Sequence, residues 1–401
     1  MKEGWEYSSI GDLCDKMNGL WKGKTGPFVN VGVIRNANFT KSFSLSFDNI
    51  EYLDVEAKQY KTRKLQKGDL IVEKSGGSEK QPVGRTVLFD REEGEYSFSN
   101  FTSVLRIKDR GIILPEFLYK YILFVYLRGD TRKMQKATTG IHNIEFDKFL
   151  SIPVPVLSLS EQQSIVDYLD SAFAKIDVMK ANAEKALNEA KALFQASLKE
   201  MLEPKEGWSE KKLKEVGRTQ TGTTPSKSVA NFYGGEIPFI RPAELDIDGK
   251  GGINYDSELK LTSEGALKSR VIRANSTLMC CIGSVGKTGY ATQDVTCNQQ
   301  INAITPYEGF NDKFVYYALL TPSFQNEVIK IANSAKATLA IISKGKWEEM
   351  SIPVPPLSEQ QSIVVSLDTL NSKVARLQEN YDKISQECDA LKQAILRQVF
   401  E

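Results

Sequence analysis

One phrase in this 401-residue chain is written twice. Ser151-Ile-Pro-Val-Pro-Val-Leu-Ser-Leu-Ser-Glu-Gln-Gln-Ser-Ile-Val166 returns as Ser351-Ile-Pro-Val-Pro-Pro-Leu-Ser-Glu-Gln-Gln-Ser-Ile-Val364, two residues shorter. A repeat of this length makes the chain two halves of one build and restricts it to folds that can be doubled. The prolines hold the backbone extended and forbid a helix. Ser160 and Ser358 then stand as helix N-caps, with Gln163 and Gln361 at capping-box spacing, and Glu161 and Glu359 fall in the first turn, where the helix dipole favours a carboxylate. The phrase predicts a strand-like exit followed by a sharp helix start.

A heptad seam follows each start. In the second half Ile363, Leu367, Leu370, Val374, Leu377, Tyr381, Ile384, Cys388, Leu391 and Ile395 alternate at spacings of four and three. The same register in the first half reads Ile165, Leu169, Ala172, Ile176, Met179, Ala183, Ala186, Ala190, Leu193 and Ser197. We expect two helices of about 60 Å packed on each other, the bulky seam filling space left by alanines. The other arrangement this pattern allows is two amphipathic helices packed separately on their own domains.

Earlier in each half the parallels continue. Lys2-Glu-Gly-Trp5 matches Lys205-Glu-Gly-Trp208, and Ile10 and Leu13 match Leu213 and Val216, predicting a short helix in each half. Polar loops follow at Asn18–Gly26 and Thr219–Ser228, then strands at Phe28–Ile34 and Ile237–Ile240. Lys67–Gly77 and Asn275–Gly286 each read as a buried strand ending in a glycine loop. Matched helices at Pro115–Leu127 and Asp312–Leu320 are each expected to precede a second short helix.

Charge separates by segment. Residues 1–150 hold 24 basic and 20 acidic side chains and residues 204–350 hold 18 and 16, a joint net of +6. The two periodic segments, 151–203 and 351–401, hold 5 and 8, and 5 and 7, a net of −5. That division suits globular parts facing a polyanion and helices facing elsewhere. Five cysteines without a Cys-x-x-Cys pair point to reduced residues, and the longest apolar run, Tyr121–Leu127, is too short to span a bilayer. Met1–Tyr7 has no apolar core of a signal peptide, so a cytoplasmic protein without membrane partners is expected.

Catalytic chemistry finds little to stand on. A single histidine, His142, builds neither a His-pair metal site nor a Ser-His-Asp arrangement with another in reserve. Gly283-Ser-Val-Gly-Lys-Thr288 resembles the end of a phosphate loop, but the required first glycine is Cys281. No Asn-Pro-Pro-Tyr or Asp-Pro-Pro-Tyr motif is present. Neither catalytic, metal nor cofactor-binding residues are expected in this chain. Basic and Ser/Thr-rich loops remain, the residue types that contact phosphates and base edges.

The layout resembles the specificity subunit of type I restriction–modification enzymes, whose proline-to-Glu-Gln motif matches Ile152–Gln162 and Ile352–Gln360. The resemblance covers the whole chain. It implies an α+β fold: two β-rich mixed target-recognition domains, 1–156 and 204–356, separated by spacer helices 157–203 and 357–401 in an antiparallel coiled coil with a pseudo-twofold internal repeat. It further implies that each domain reads one half of a bipartite site in double-stranded DNA, while the helices set the spacing and dock two modification (methyltransferase) subunits. S-adenosylmethionine would sit in those subunits, and ATP and Mg in restriction/translocase subunits that join them. The chain itself would be non-catalytic. Candidate DNA contacts are Lys24, Thr25, Arg35, Lys74, Ser75, Lys80, Arg85, Thr138, Thr139, His142 and Asn143 in the first domain. In the second they are Thr223, Thr224, Ser226, Lys227, Arg241, Ser284, Lys287, Lys336 and Thr338. Two other readings stay open: a coiled-coil scaffold whose globular domains bind protein, and an enzyme using the Gly283–Thr288 loop.

Overall fold

The structure, a computed structural model, describes residues 4–20, 25–79, 81–138, 140–246, 252–256, 259–334 and 339–401. It divides into two units: Met1–Ala183 with Asp382–Glu401, and Glu184–Tyr381. The last twenty residues of the chain therefore fold with the first half.

The first unit is built on an antiparallel four-stranded sheet in the order Cys14–Asn18, Thr102–Ile107, Leu70–Glu73, Thr86–Leu88. A second sheet sets Phe28–Ile34 between antiparallel Glu51–Glu56 and parallel Tyr96–Phe98. The helix Pro115–Arg128 opens on Pro115, whose missing N–H costs nothing at a first turn, and stops at Gly129 in the left-handed region (φ 90°). Its Phe117, Leu118 and Ile122 are fully buried in one core with Leu70, Val72 and Leu105 of the four-stranded sheet.

The second unit repeats this construction. Gly217–Thr221, Ile301–Pro306, Ser276–Cys280 and Thr288–Ala291 form the matching antiparallel sheet. Tyr233–Ile240 again runs parallel to its neighbour, Val295–Cys297. The matched helix is Asp312–Leu320, capped by the Asn311 side chain, which accepts from the Phe314 amide. The short helices lie where expected, at Ile10–Leu13 and Leu213–Val216. After the matched helices the halves differ: a 3-10 turn at Asp130–Met134 in one, a 13-residue helix at Pro322–Ser334 in the other. The expected polar loops start later than the sequence suggested, because Cys14–Asn18 and Gly217–Thr221 join the sheets as edge strands.

The repeated phrase is a strand and then a helix. Pro153–Val156 pairs antiparallel with Glu6–Ser9, and Ser351–Val354 with Ser209–Lys212. Both are two-stranded ribbons, where a residue without an N–H is tolerated. The long helices run Leu159–Met201 and Leu357–Phe400, 43 and 44 residues.

Their caps differ from the expected Ser160 and Ser358. Ser158 caps the first: its Oγ accepts from the Glu161 amide at 3.3 Å, and the Glu161 carboxylate accepts back from the Ser158 amide at 3.1 Å. The Ser158 hydroxyl also donates to that carboxylate at 2.6 Å, and this bond, with the one from the Ser158 amide, holds the Glu161 carboxyl below its ordinary pKa. Before the second helix no serine precedes Leu357, and the Pro356 carbonyl accepts from the Glu359 and Gln360 amides. Ser358 lies inside that helix.

The seam of the first long helix is also shifted. Leu169 and Ile176 are buried as expected, but Met179 and Leu193 are 57% and 58% exposed. The inward positions are instead Phe173, Lys180, Leu187 and Phe194, one residue later in each heptad. A spacing of four then three fits either register, and the aromatic side chains decide it. Larger side chains therefore share this seam with Ala183 and Ala190, which keep their expected inward places. In the second helix Leu391 is 46% exposed while Leu396 and Phe400 are buried, since its last turns follow the first unit's core rather than a heptad.

Within each unit two helix ends run antiparallel and complete the core. In the first, the Cys388 thiol donates to the Ile176 carbonyl at 3.8 Å, and Lys392 pairs with Asp177 at 2.5 Å. Phe400 is clasped by Phe117, Tyr121 and Phe124 at ring separations of 5.8, 5.2 and 5.4 Å. In the second unit Leu198 of one helix, Leu202 just past its end, and Ile363, Val364 and Leu367 of the other share one buried core with Phe314.

Candidate nucleic-acid interface

Two polar anchors tie each long helix to its own domain. Gln162, fully buried, accepts from the Leu114 amide at 2.8 Å and donates to the Ile112 and Leu157 carbonyls at 2.8 Å. Gln360 repeats this, accepting from Asn311 at 2.8 Å and donating to Pro355 at 2.9 Å. Leu114 and Asn311 are the N-caps of the matched helices. Eight residues on, Asp170 pairs with Lys120 at 2.5 Å, and Asp368 accepts from Lys313 and Tyr317 at 2.6 Å each. The Glu-Gln-Gln phrase thus orients a domain's loops relative to its helix.

In the first domain several polar residues converge at the ends of strands. The sheet Gln135–Thr138, Ile141–Ile144, Ser75–Gly77 sets Asn143 opposite Ser75 and His142 opposite Gly77. Gly76 holds φ 105°, a conformation that side chains disfavour, and lets the Asn36 amide reach the Ser75 carbonyl at 2.7 Å. Lys74 precedes this turn, and burial with the nearby Lys16 charge lowers its pKa. Neither lysine has a carboxylate partner among the described residues. Lys74, Ser75, His142 and Asn143 therefore form one group, joined through Asn36 to Arg35.

The other candidates scatter. Arg85 leaves the group: Glu73, 2% exposed, accepts from its Nε at 2.7 Å and its Nη2 at 3.2 Å, so its charge serves the core. Arg35 pairs with Glu51. The Thr25 amide donates to Glu56 at 3.0 Å, away from the Ser75 turn in sequence and sheet. Lys24, Lys80, Thr139, Lys336 and Thr338 lie outside the described residues, and Thr138 is described for its backbone alone.

In the second domain Thr224 donates to the Gln299 side chain at 2.6 Å, and the Thr223 carbonyl accepts from Ser269 at 2.6 Å. Ser226 and Ser228 share a hydrogen bond of 2.8 Å near Lys227. Arg241 is held by Glu244, at 2.5 and 3.1 Å. Ser284 and Lys287 lie on the turn between Ser276–Cys280 and Thr288–Ala291, with Gly283 and Gly286 at φ 82° and 95°. Strand follows that turn, not a helix, so no helix N-terminus is there to cradle a phosphate.

Sequence reasoning missed the residues just past the parallel strands: Asn36, Ser99, Asn100 and Phe101 in the first domain, Asn298, Gln299 and Gln300 in the second. The Ser99 amide donates to the Ile34 carbonyl at 2.9 Å and the Asn298 amide to Ile240 at 3.1 Å, so the two sets are equivalent. The signal was there in three adjacent amides, Asn298-Gln-Gln300.

Fold and loops together define a tandem protein, one module built twice with unlike loops at matching places. The family profile described as type I restriction modification DNA specificity domain matches residues 2–189 and 205–386, and the chain belongs to that family. The HindI specificity subunit of Haemophilus influenzae is 24% identical over 412 residues, covering 84% of this chain and 86% of that protein. The StySPI specificity subunit of Salmonella potsdam is 23% identical and covers 100% of this chain and 89% of its own. A solved chain from a study of complex assembly and conformational transition of the type I R-M system shares the fold, with a TM-score of 0.74, 20% identity, and coverage of 100% and 98%. No helix among the described residues is long and apolar enough to cross a membrane.

Proposed function

We propose that each module reads one half of a split DNA target, while the long helices set the gap and dock two modification subunits. The observation carrying this is one sheet order built twice, with dissimilar loops at equivalent places: Lys74-Ser-Gly-Gly77 against Cys281-Ile-Gly-Ser284, and Ser99-Asn-Phe101 against Asn298-Gln-Gln300. A common frame with variable loops suits two different half-sites. Lys16, Lys74 and Lys287, without carboxylate partners among the described residues, are suited to phosphates. Exposed apolar side chains on the helices, Tyr168, Val178, Met179, Leu193 and Val365, suit the docking of protein.

In this reading the chain is non-catalytic. S-adenosylmethionine belongs to the modification subunits, ATP and Mg to restriction subunits, and the complex works in the cytoplasm. The test is single-molecule methylation mapping of DNA from cells expressing the chain with its modification subunit. A bipartite adenine-methylated motif is expected, and replacing residues 204–356 should change one half alone. Inserting one heptad in each long helix should lengthen the gap and spare both halves. A stable complex that methylates no motif would leave a protein-binding scaffold instead.

A further inference from the structure

A cleft of about 700 Å³ opens at the carboxyl ends of the parallel strands Phe28–Ile34 and Tyr96–Phe98. Its apolar walls include Val33, Leu53, Val55 and Phe101, of which Leu53 and Phe101 are 40% and 49% exposed. Arg35, Asn36 and Ser99 line it too, and each carries one buried polar atom without a hydrogen-bond partner: Arg35 Nε, Asn36 Oδ1 and Ser99 Oγ. Three orphans in one wall are unusual, because buried polar groups are nearly always satisfied. The equivalent place in the second domain is self-satisfied. There Asn298 donates to Gln300 at 2.8 Å, Gln299 accepts from Thr224, and both Arg241 Nε and Nη2 reach Glu244.

The chemistry of the orphans selects the guest. They comprise a donor, an acceptor and a hydroxyl that is either, set among flat apolar surfaces. Glu51 already neutralises Arg35, and Asp54 adds a carboxylate to the lining, so a phosphate is disfavoured. A nucleobase has the required donors and acceptors on its edge and the faces for Phe101. Base edges in an intact duplex lie deep in a groove and are read by protruding side chains, whereas a recessed cleft meets only what stands out from the helix.

We propose that this cleft is a nucleobase pocket, holding one base of the first module's half-site turned out of the stack, with Asn36 and Ser99 reading its edge. The inference rests on the DNA-reading function proposed above. Its test uses the full chain assembled with its modification subunits, on duplexes carrying the mapped motif. 2-Aminopurine replaces one base at a time through the half-site read by the first module. A severalfold rise in fluorescence is expected at one position other than the methylated adenine. Ser99→Ala and Asn36→Leu should each abolish that rise, and co-elution of each variant with the modification subunits in the wild-type ratio shows that it folds and assembles. Should Asn36→Leu not assemble, Ser99→Ala alone decides. A response confined to the methylated adenine overturns the pocket, as does a second response that survives in Ser99→Ala. Failure of the underlying function looks different, since the wild-type complex would then have no bipartite motif.

Discussion

The Gln162 side chain accepts a hydrogen bond from the main-chain amide of Leu114, 48 residues earlier, at 2.8 Å and out of reach of water. Through it the first turn of a long helix also caps the helix Pro115–Arg128 of the recognition module. Gln360 and Asn311 repeat the arrangement. Glutamine suits the position because its one side chain both accepts and donates.

Gln162→Leu should therefore leave the Leu114 amide buried and unpaired, at a cost of about 2 kcal/mol in urea unfolding. Gln360→Leu should cost about as much for the Asn311 amide. A change within about 0.5 kcal/mol, the range of an ordinary surface substitution, would show that water replaces the lost partner.

Arg85 and Lys287 should separate a structural cation from a binding one. Arg85→Ala strands the buried Glu73 carboxylate and should destabilise by about 3–5 kcal/mol. Lys287→Ala should leave stability unchanged but weaken DNA binding for every sequence, and lower the salt slope of binding by about one. Equal affinity across salt concentrations would remove Lys287 from the interface.

The end of the chain should stabilise its beginning. Leu396→Ala empties a fully buried site in the core shared with Phe117 and Leu169 and should cost about 2–5 kcal/mol. Hydrogen exchange should quicken in Pro115–Arg128 and not in Asp312–Leu320. Loosening of the second unit instead would contradict the division of the fold.

Glu349 accepts from Lys212 and Lys214, and these hydrogen bonds pull its pKa from 4.5 to about 2. A depressed folded-state pKa contributes stability above the unfolded value that is lost as pH falls through the folded one. The difference in melting temperature between wild type and Glu349→Gln should thus be full above pH 4.5 and shrink towards pH 2. A difference independent of pH would assign Glu349 a role unrelated to its charge.

The sequence alone determined the duplication, the strand-then-helix reading of Ser-Ile-Pro-Val-Pro, and the matched helices at Pro115 and Asp312. Each rests on local rules: proline stereochemistry, periodicity and caps. It also carried the family, because Glu-Gln-Gln recurs at the buried anchor of each module. Tertiary structure decided what local rules leave degenerate. Heptad spacing fits two registers, and Phe173 and Phe194 chose the one that buries their rings. Thr219–Thr221 reads as the start of a polar loop and becomes part of the edge strand Gly217–Thr221 because Ile301–Pro306 offers it a partner. Arg85 looks like a loop cation until Glu73, folded beside it, claims its charge. The cleft of Arg35, Asn36 and Ser99 joins residues more than sixty positions apart through a parallel strand pair, and such pairing leaves no mark in local sequence.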